Sequence, residues 1–416
     1  MVYTPGWFVA LLGVFLMFPS AGVAVEVDGL FNAEVPVFDR GVEQRRAGIK
    51  SALEKVLVKV SGNQHVIFVP GIIPPENEIE RLVEQFGYSE IEYDETELVS
   101  DENVDLQLND DTEFLQAESD EAQEDPLSEQ AEEPKPTLNL WVGFDSNAVL
   151  KRLQQANLPV WDRTRPLTLV WVAVQDGGER YLLEPELHLD IKDVMDAQAA
   201  ERGMPIAFPL MDLEDRTLLT PTDVWGDFGD AIMLASQRYG ADAVLVVRLS
   251  NEGDAFWRAR WTLYHGDESN HWESTGENQE QSLTQGLHSS ADTLASRYAQ
   301  VLLANLEPPL TMTLHGINQF DHYAKAINYL ESLTQIASLD VFRVTQNKLE
   351  LNLSIRGNRD GLEKVIRLGG VLAKMEAEVA PMPVMDVDPF AAAGVPEDEL
   401  LRNKPHEEGL VYRLLP

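Results

Sequence analysis

The chain contains no cysteine. That absence alone excludes a lipid-modified cysteine anchor, disulfide staples, thiolate metal sites and cysteine nucleophiles. Positive charge is scarce: 32 Lys and Arg stand against 70 Asp and Glu, a formal net charge of -38. Such a body repels a phosphate backbone, which argues against nucleic acid as a partner. The spacings that reactions demand are missing as well. There is no Gly-Lys dipeptide for a P-loop, no G-x-G-x-x-G, no G-x-S-x-G or S-x-x-K for an activated serine, and no H-E-x-x-H for zinc. Beyond the N-terminal stretch no run is long and apolar enough to span a bilayer.

That stretch holds Phe8 to Phe18, eleven uncharged residues, short of the roughly twenty a spanning helix needs. Pro19 and Ser20 break it and small residues follow, so it reads as a signal peptide cut after Ala24, with Gly22 at the minus-three position. It departs from the usual pattern in having no Lys or Arg before the apolar run. The expectation is export to the periplasm, an oxidising compartment in which a cysteine-free chain is safe.

The negative charge is uneven. Ser89 to Pro136 holds 19 carboxylates against the single Lys135, about half of the whole excess. Self-repelling charge, few aromatics and no sustained period cannot bury enough apolar area to offset ordering entropy, so this insert is expected to be disordered. It lacks the Asp-x-Asp-x-Asp-Gly spacing of a calcium loop.

On either side the hydrophobic period defines an α/β (α+β) chain. Residues 30–37 read as a strand, Asp39 as a helix cap, and Ile49, Leu53, Val56, Leu57 and Val60 as one helical face ending at Gly62. Pro74 and Pro75 announce a second helix carrying Ile79, Leu82, Val83 and Phe86. Residues 138–144 resume as a strand followed by a short helix, so the acidic insert interrupts a small N-terminal unit, 25–165, with its flanks near each other. A central mixed-sheet domain, 166–306, follows. It has a central strand at 167–174, a helix at 190–202, a buried strand at 205–210, a capped helix from Thr220 to Gly240, strands at 242–250 and 256–265, a partner strand near Trp272 and a long final helix. Residues 309–379 give strand, helix, strand, strand, helix, strand, the ferredoxin-like order. The tail 380–416 is loose, with LVYRLL as one more possible strand.

The segments VPVFDRGVEQRRAGIKSALEKVLVKVSGN, PLMDLEDR, DVWGDF and ASQRYGADAVLVVRL resemble an uncharacterised proteobacterial envelope family, domain of unknown function 2066. The 166–305 unit more loosely resembles the amino-terminal domain of TolB and related domains of curli-secretion and flagellar-assembly proteins. That likeness implies a scaffold or partner-binding module with other envelope proteins as partners. It is an analogy of fold, which does not fix function.

Three clusters carry the remaining chemistry. Asp212, Glu214 and Asp215 follow the strand at 205–210, where open α/β sheets place ligands, and could serve acid and base work or hold a hard cation. The plainer reading has Asp212 and Asp215 accepting turn hydrogen bonds, Arg216 offsetting their charge and Leu213 packed inward. His265, Asp267, Glu268 and His271 share one hairpin, a conceivable metal cluster or an ordinary polar turn. Trp257 and Trp261 lie on one strand face as sugar-stacking platforms or as core, and Trp225 opens a helix near Asp212. The functional expectation is a non-enzymatic envelope scaffold without a cofactor. The alternatives are a carboxylate-based hydrolase or metal-dependent enzyme at Asp212, Glu214 and Asp215, and a glycan or small-ligand binder. Deleting residues 95–132 is expected to leave cooperative thermal unfolding intact; a large fall in the midpoint would contradict the reading of the insert.

Overall fold

The structure, a computed structural model, describes residues 24–91, 136–253, 256–302, 309–375 and 409–415. The signal stretch, almost all of the acidic insert and residues 380–405 lie outside the described residues. The chain divides into two compact units. The first comprises Phe31–Leu57 and the described part of Val69–Val149; the second comprises Val58–Phe68 with the described parts of Met1–Leu30 and Leu150–Pro416.

In the first unit, strand β1 (Asn32–Val37) leads to helix α1 (Val42–Ser61), whose residues to Leu57 belong here. Asp39 accepts the Gly41 N–H at 2.6 Å in the connecting turn. Ile49, Leu53, Val56 and Leu57 are buried on one face. The helix lies close on the sheet because Gly48 carries no side chain: a Cβ there would stand 2.7 Å from Leu140 Cδ2. Strands β2 (Val83–Glu90) and β3 (Leu138–Phe144) complete an antiparallel sheet of order β1-β3-β2. The second expected helix is therefore wrong beyond its first turn. Only Glu76–Ile79 is α-helical, and Val83 and Phe86 lie in β2. Phe86 is about half exposed, so the spacing that suggested a helical face belongs instead to a strand whose stability comes from pairing with β3. Glu90 pairs Leu138, and Ile91 N–H donates to Thr137 at 3.0 Å, so the flanks of the acidic insert do meet.

The second unit opens with the last part of helix α2 (Ser146–Gln155) and centres on a six-stranded sheet. Strands β4 (Thr168–Asp176) and β5 (Glu179–Leu182) form a hairpin, helix α3 (Leu189–Arg202) ends at Gly203 in the left-handed region (φ 58°), and β6 (Ile206–Ala207) pairs the start of β4. The expected strand at 205–210 is thus only two residues long, and Leu210 is exposed. Helices α4 (Leu213–Leu218), α5 (Pro221–Trp225) and α6 (Gly229–Ser236) follow. The capping box at Thr220 and Asp223 forms as expected, with Pro221 at the first position. The single helix expected from there to Gly240 is broken, because Asp227 takes a positive φ of 56° between α5 and α6.

Strand β7 (Ala243–Asn251) is parallel to β4, while β8 (Trp257–His265) and β9 (Glu268–Gly276) continue antiparallel, giving the order β9-β8-β7-β4-β5. Both β4 and β7 are buried on both faces, as their unbroken apolar runs require. One face packs on α3 and the long helix α7 (Gln279–Tyr298) through Val170, Val172, Leu245, Val247, Trp261, Leu283 and Leu294. The other packs on α5 and α6 through Leu169, Trp171, Val244, Val246, Val224 and Ile232.

Strand β10 (Leu310–His315), helix α8 (Phe320–Ser332), strands β11 (Ile336–Val344) and β12 (Lys348–Ile355), helix α9 (Arg359–Leu368) and strand β13 (Leu372–Lys374) follow the expected βαββαβ order. The sheet differs from the simple ferredoxin-like one. A terminal strand β14 (Leu410–Leu414) runs parallel to β10 and separates it from β13, giving β11-β12-β10-β14-β13. Leu410, Tyr412 and Leu414 supply its inner face. No described helix is long and apolar enough to cross a membrane.

The closest approach in the central core is α7 over β8, where a Cβ on Gly286 would fall 1.9 Å from Trp261 Cε2. Gly286→Ala is expected to cost about 3 kcal/mol through overpacking. Urea unfolding checks this, and an unchanged midpoint would contradict the packing.

Candidate functional site

The octapeptide carboxylates form a closed network. Asp212 caps α4, its Oδ1 accepting the Glu214 and Asp215 N–H groups at 3.1 Å each. The neutralising cation is Arg238 rather than Arg216. Arg238 grips both Asp212 oxygens at 2.8 Å and reaches Asp215 at 3.2 Å and Glu214 at 3.5 Å. Asp215 is fully buried and accepts the Tyr239 hydroxyl at 2.5 Å, while that hydroxyl accepts the Leu210 N–H at 2.9 Å. Arg216 turns away to Met211 O and Glu184, and Leu213, expected inside, is 82% exposed. Hydrogen bonds from Arg238 hold Asp212 down to about 2, and burial followed by the Asp215 bond pushes the Tyr239 hydroxyl up to about 12. Two carboxylates whose oxygens are already met by arginine, tyrosine and backbone N–H groups act as a helix-start clamp.

The four hairpin residues do not converge on one point, although His265 and Glu268 pair in register. His265 faces α7, its Nε2 2.5 Å from the Tyr298 hydroxyl and its Nδ1 3.2 Å from Arg297. Burial, then the Arg297 charge, lowers its pKa. Arg297 also binds Glu268. His271 pairs in register with Thr262, and its Nδ1 lies 3.1 Å from the Thr262 hydroxyl on the opposite sheet face from His265. Asp267 is exposed in the turn. Among the described residues no group of three or more His, Asp or Glu is arranged to hold a metal ion.

The tryptophans divide. Trp261 is fully buried, stacked on Trp272 at 6.2 Å and donating to Ser274 Oγ at 2.7 Å. Trp257 is half-buried against the same core. Trp225 is different. It ends α5, is half-buried, and has the Arg180 and Arg260 guanidiniums at 4.6 and 5.3 Å from its ring, not Asp212 as expected.

Trp225 lines a groove of about 450 Å³. Registration builds this groove: Gln175, Ser250 and Arg258 form one row across β4, β7 and β8, and Ala173, Arg248, Arg260 and Glu273 form the next. Both rows lie at the carboxyl ends of the parallel strands, beyond the cover of α5 and α6, where open α/β sheets hold ligands. Arg248 is nearly buried and committed to Asp227 at 3.1 Å and Thr262 at 2.7 Å. Arg258 faces Glu252 at 3.4 Å, and Arg180 donates to Gln175 at 2.8 Å. No hydrogen bond or ion pair among the described residues engages the Arg260 guanidinium. The alternation of β8 put Arg258, Arg260 and Thr262 on one face. Nothing local in sequence linked them to Arg180, Trp225 or Asp227.

Residues 24–162 match the model of a domain of unknown function, DUF8605. No curated protein matches the chain. An uncharacterised domain is therefore present; the match supports neither domain of unknown function 2066 nor a TolB-type likeness, and the groove lies outside the matched residues.

Removing the Tyr239 hydroxyl leaves one oxygen of the buried Asp215 carboxylate without its donor while Arg238 holds the other, so Tyr239→Phe is expected to cost about 1–3 kcal/mol in urea unfolding. Because the Asp212 pKa lies below its ordinary value of 3.8 in the folded state, its contribution is present above that value and is lost as pH falls toward about 2. The midpoint deficit of Asp212→Asn at pH 7 should vanish near pH 2; a constant deficit would contradict the pairing.

Proposed function

We propose that this chain is an exported, non-enzymatic envelope protein that binds a partner through the Trp225 groove. The observation that carries the reading is the uncovered, arginine-bearing half of the central sheet face around a half-buried tryptophan. Tryptophan and arginine are the residues that most often anchor protein interfaces, and here both stand ready at one place. The contrast with the octapeptide supports binding over catalysis: its carboxylates are spent on Arg238, Tyr239 and the start of α4. Trp261 offers no exposed ring to a sugar.

The periplasmic location rests on the N-terminal apolar stretch and the lack of cysteine. The likeness of residues 166–305 to TolB-type amino-terminal domains points the same way, toward assembly or integrity of the cell surface. Its partners are then other envelope proteins.

Crosslinking in the periplasmic fraction, followed by affinity purification at native abundance, is expected to recover a stoichiometric partner. Trp225→Ala should lose that partner while melting cooperatively at a midpoint close to that of the parent. Recovery of the protein alone, or full retention of the partner by Trp225→Ala, would contradict the proposal.

A further inference from the structure

We propose that the groove receives a single carboxylate of an acidic peptide segment, forked by Arg260 while Trp225 supports the guanidinium; this rests on the partner-binding reading above and names its chemistry. The first ground is that Arg260 is the cation left over. Its three arginine neighbours are engaged by protein groups: Arg248 bonds Asp227 and Thr262, Arg180 bonds Gln175, and Arg258 forms an ion pair with Glu252 at 3.4 Å without a hydrogen bond. Glu273 stands opposite Arg260 in register, yet no ion pair forms between them. What Arg260 does have is the Trp225 ring at 5.3 Å. A guanidinium resting on an aromatic ring keeps the N–H groups of its edge free, in the fork that matches a carboxylate.

Charge decides among anions. Arg258 and Arg260 line the groove together with Glu252 and Glu273, which balance them, and Arg180 at Trp225 leaves one net positive charge. One carboxylate neutralises that. A dianionic phosphate would bring a second charge against Glu252 and Glu273, and a nucleic acid many more. A neutral sugar would leave the Arg260 charge unpaired.

The rest of the lining suits peptide. Gln175 uses its Oε1 on Arg180, and its amide N–H groups have no acceptor among the described residues, leaving a donor for a backbone carbonyl. The indole gives the methylenes of an Asp or Glu side chain an apolar surface. A volume of about 450 Å³ holds one or two residues of an extended segment.

The test uses the full chain and three probes: a capped Gly-Asp-Glu-Gly peptide, its Gly-Asn-Gln-Gly counterpart, and inorganic phosphate. NMR titration follows the Trp225 indole and arginine side-chain N–H signals. The acidic peptide is expected to shift the Trp225 and Arg260 signals and to bind about tenfold more tightly than the amide peptide, the worth of a charge-assisted hydrogen bond. Arg260→Ala should abolish the difference. Glu273→Gln should tighten acidic-peptide binding several-fold, a gain that no damage to the fold can imitate. Equal binding of the two peptides, tighter binding of phosphate, or no response at Trp225 to any probe would overturn the carboxylate assignment. The crosslinked partner of the parent protein is scored separately, so its loss and the loss of carboxylate selectivity are distinguishable.

Discussion

Asp227 is the point on which the central domain turns. Its positive φ breaks what the sequence patterns as one helix, and its carboxylate fastens the break to the sheet. Thr262 and Tyr264 hydroxyls donate to it at 2.8 and 2.9 Å, and Arg248 closes at 3.1 Å. Gly229 then starts α6 close against the Tyr264 ring, where a Cβ would stand 3.1 Å from the hydroxyl oxygen. On one side of this knot the sheet face is apolar and roofed by helices; on the other it is arginine-bearing and open. A nearly buried guanidinium needs acceptors for its N–H groups, so the knot also compels Asp227 to remain where it is.

The same rule, that acceptors within reach decide what a cation does, runs through the second unit. Arg165 is completely buried, and its N–H groups go to the carbonyls of Lys59, Trp161, Asp162, Arg202 and Gly203. Some of those carbonyls lie in the last turns of α1 and α3, where a cation is well placed. Burial pushes the Arg165 guanidinium down to about 9, partly offset by the Asp162 charge. Arg202 likewise reaches Gly62 O and the Asp292 carboxylate. Arg238 clamps Asp212. Against these committed cations, Arg260 has the Trp225 ring beside it and no hydrogen-bond acceptor among the described residues.

Much of the fold was legible because period and punctuation are local. The double-sided burial of β4 and β7, the Thr220 capping box, the face of α1 and the order of the C-terminal unit all follow from spacing. The failures share a cause. Val83 and Phe86 carry helical spacing but are drawn into a strand by a partner more than fifty residues away, and β14 slips between β10 and β13 from beyond a long tail. The Asp227 break is stabilised by residues on β7 and β8. At the candidate sites, the octapeptide read as a turn is the capped start of helix α4, and its cation comes from Arg238 and not from the adjacent Arg216. The groove needs residues 175, 180, 225, 250, 258 and 260 in one place, which only the strand register supplies.

Arginines that hold the fold are distinct from the one left for a ligand, and equilibrium urea unfolding of Arg248→Ala beside Arg260→Ala tests that separation most directly. Arg248→Ala is predicted to lose about 3 kcal/mol or more, since it leaves the Asp227 carboxylate without its cation, whereas Arg260→Ala should lose no more than about 1 kcal/mol, the worth of its contact with the Trp225 ring. Equal and large losses from both would show that Arg260 belongs to the framework and that the groove is not a vacant recognition surface.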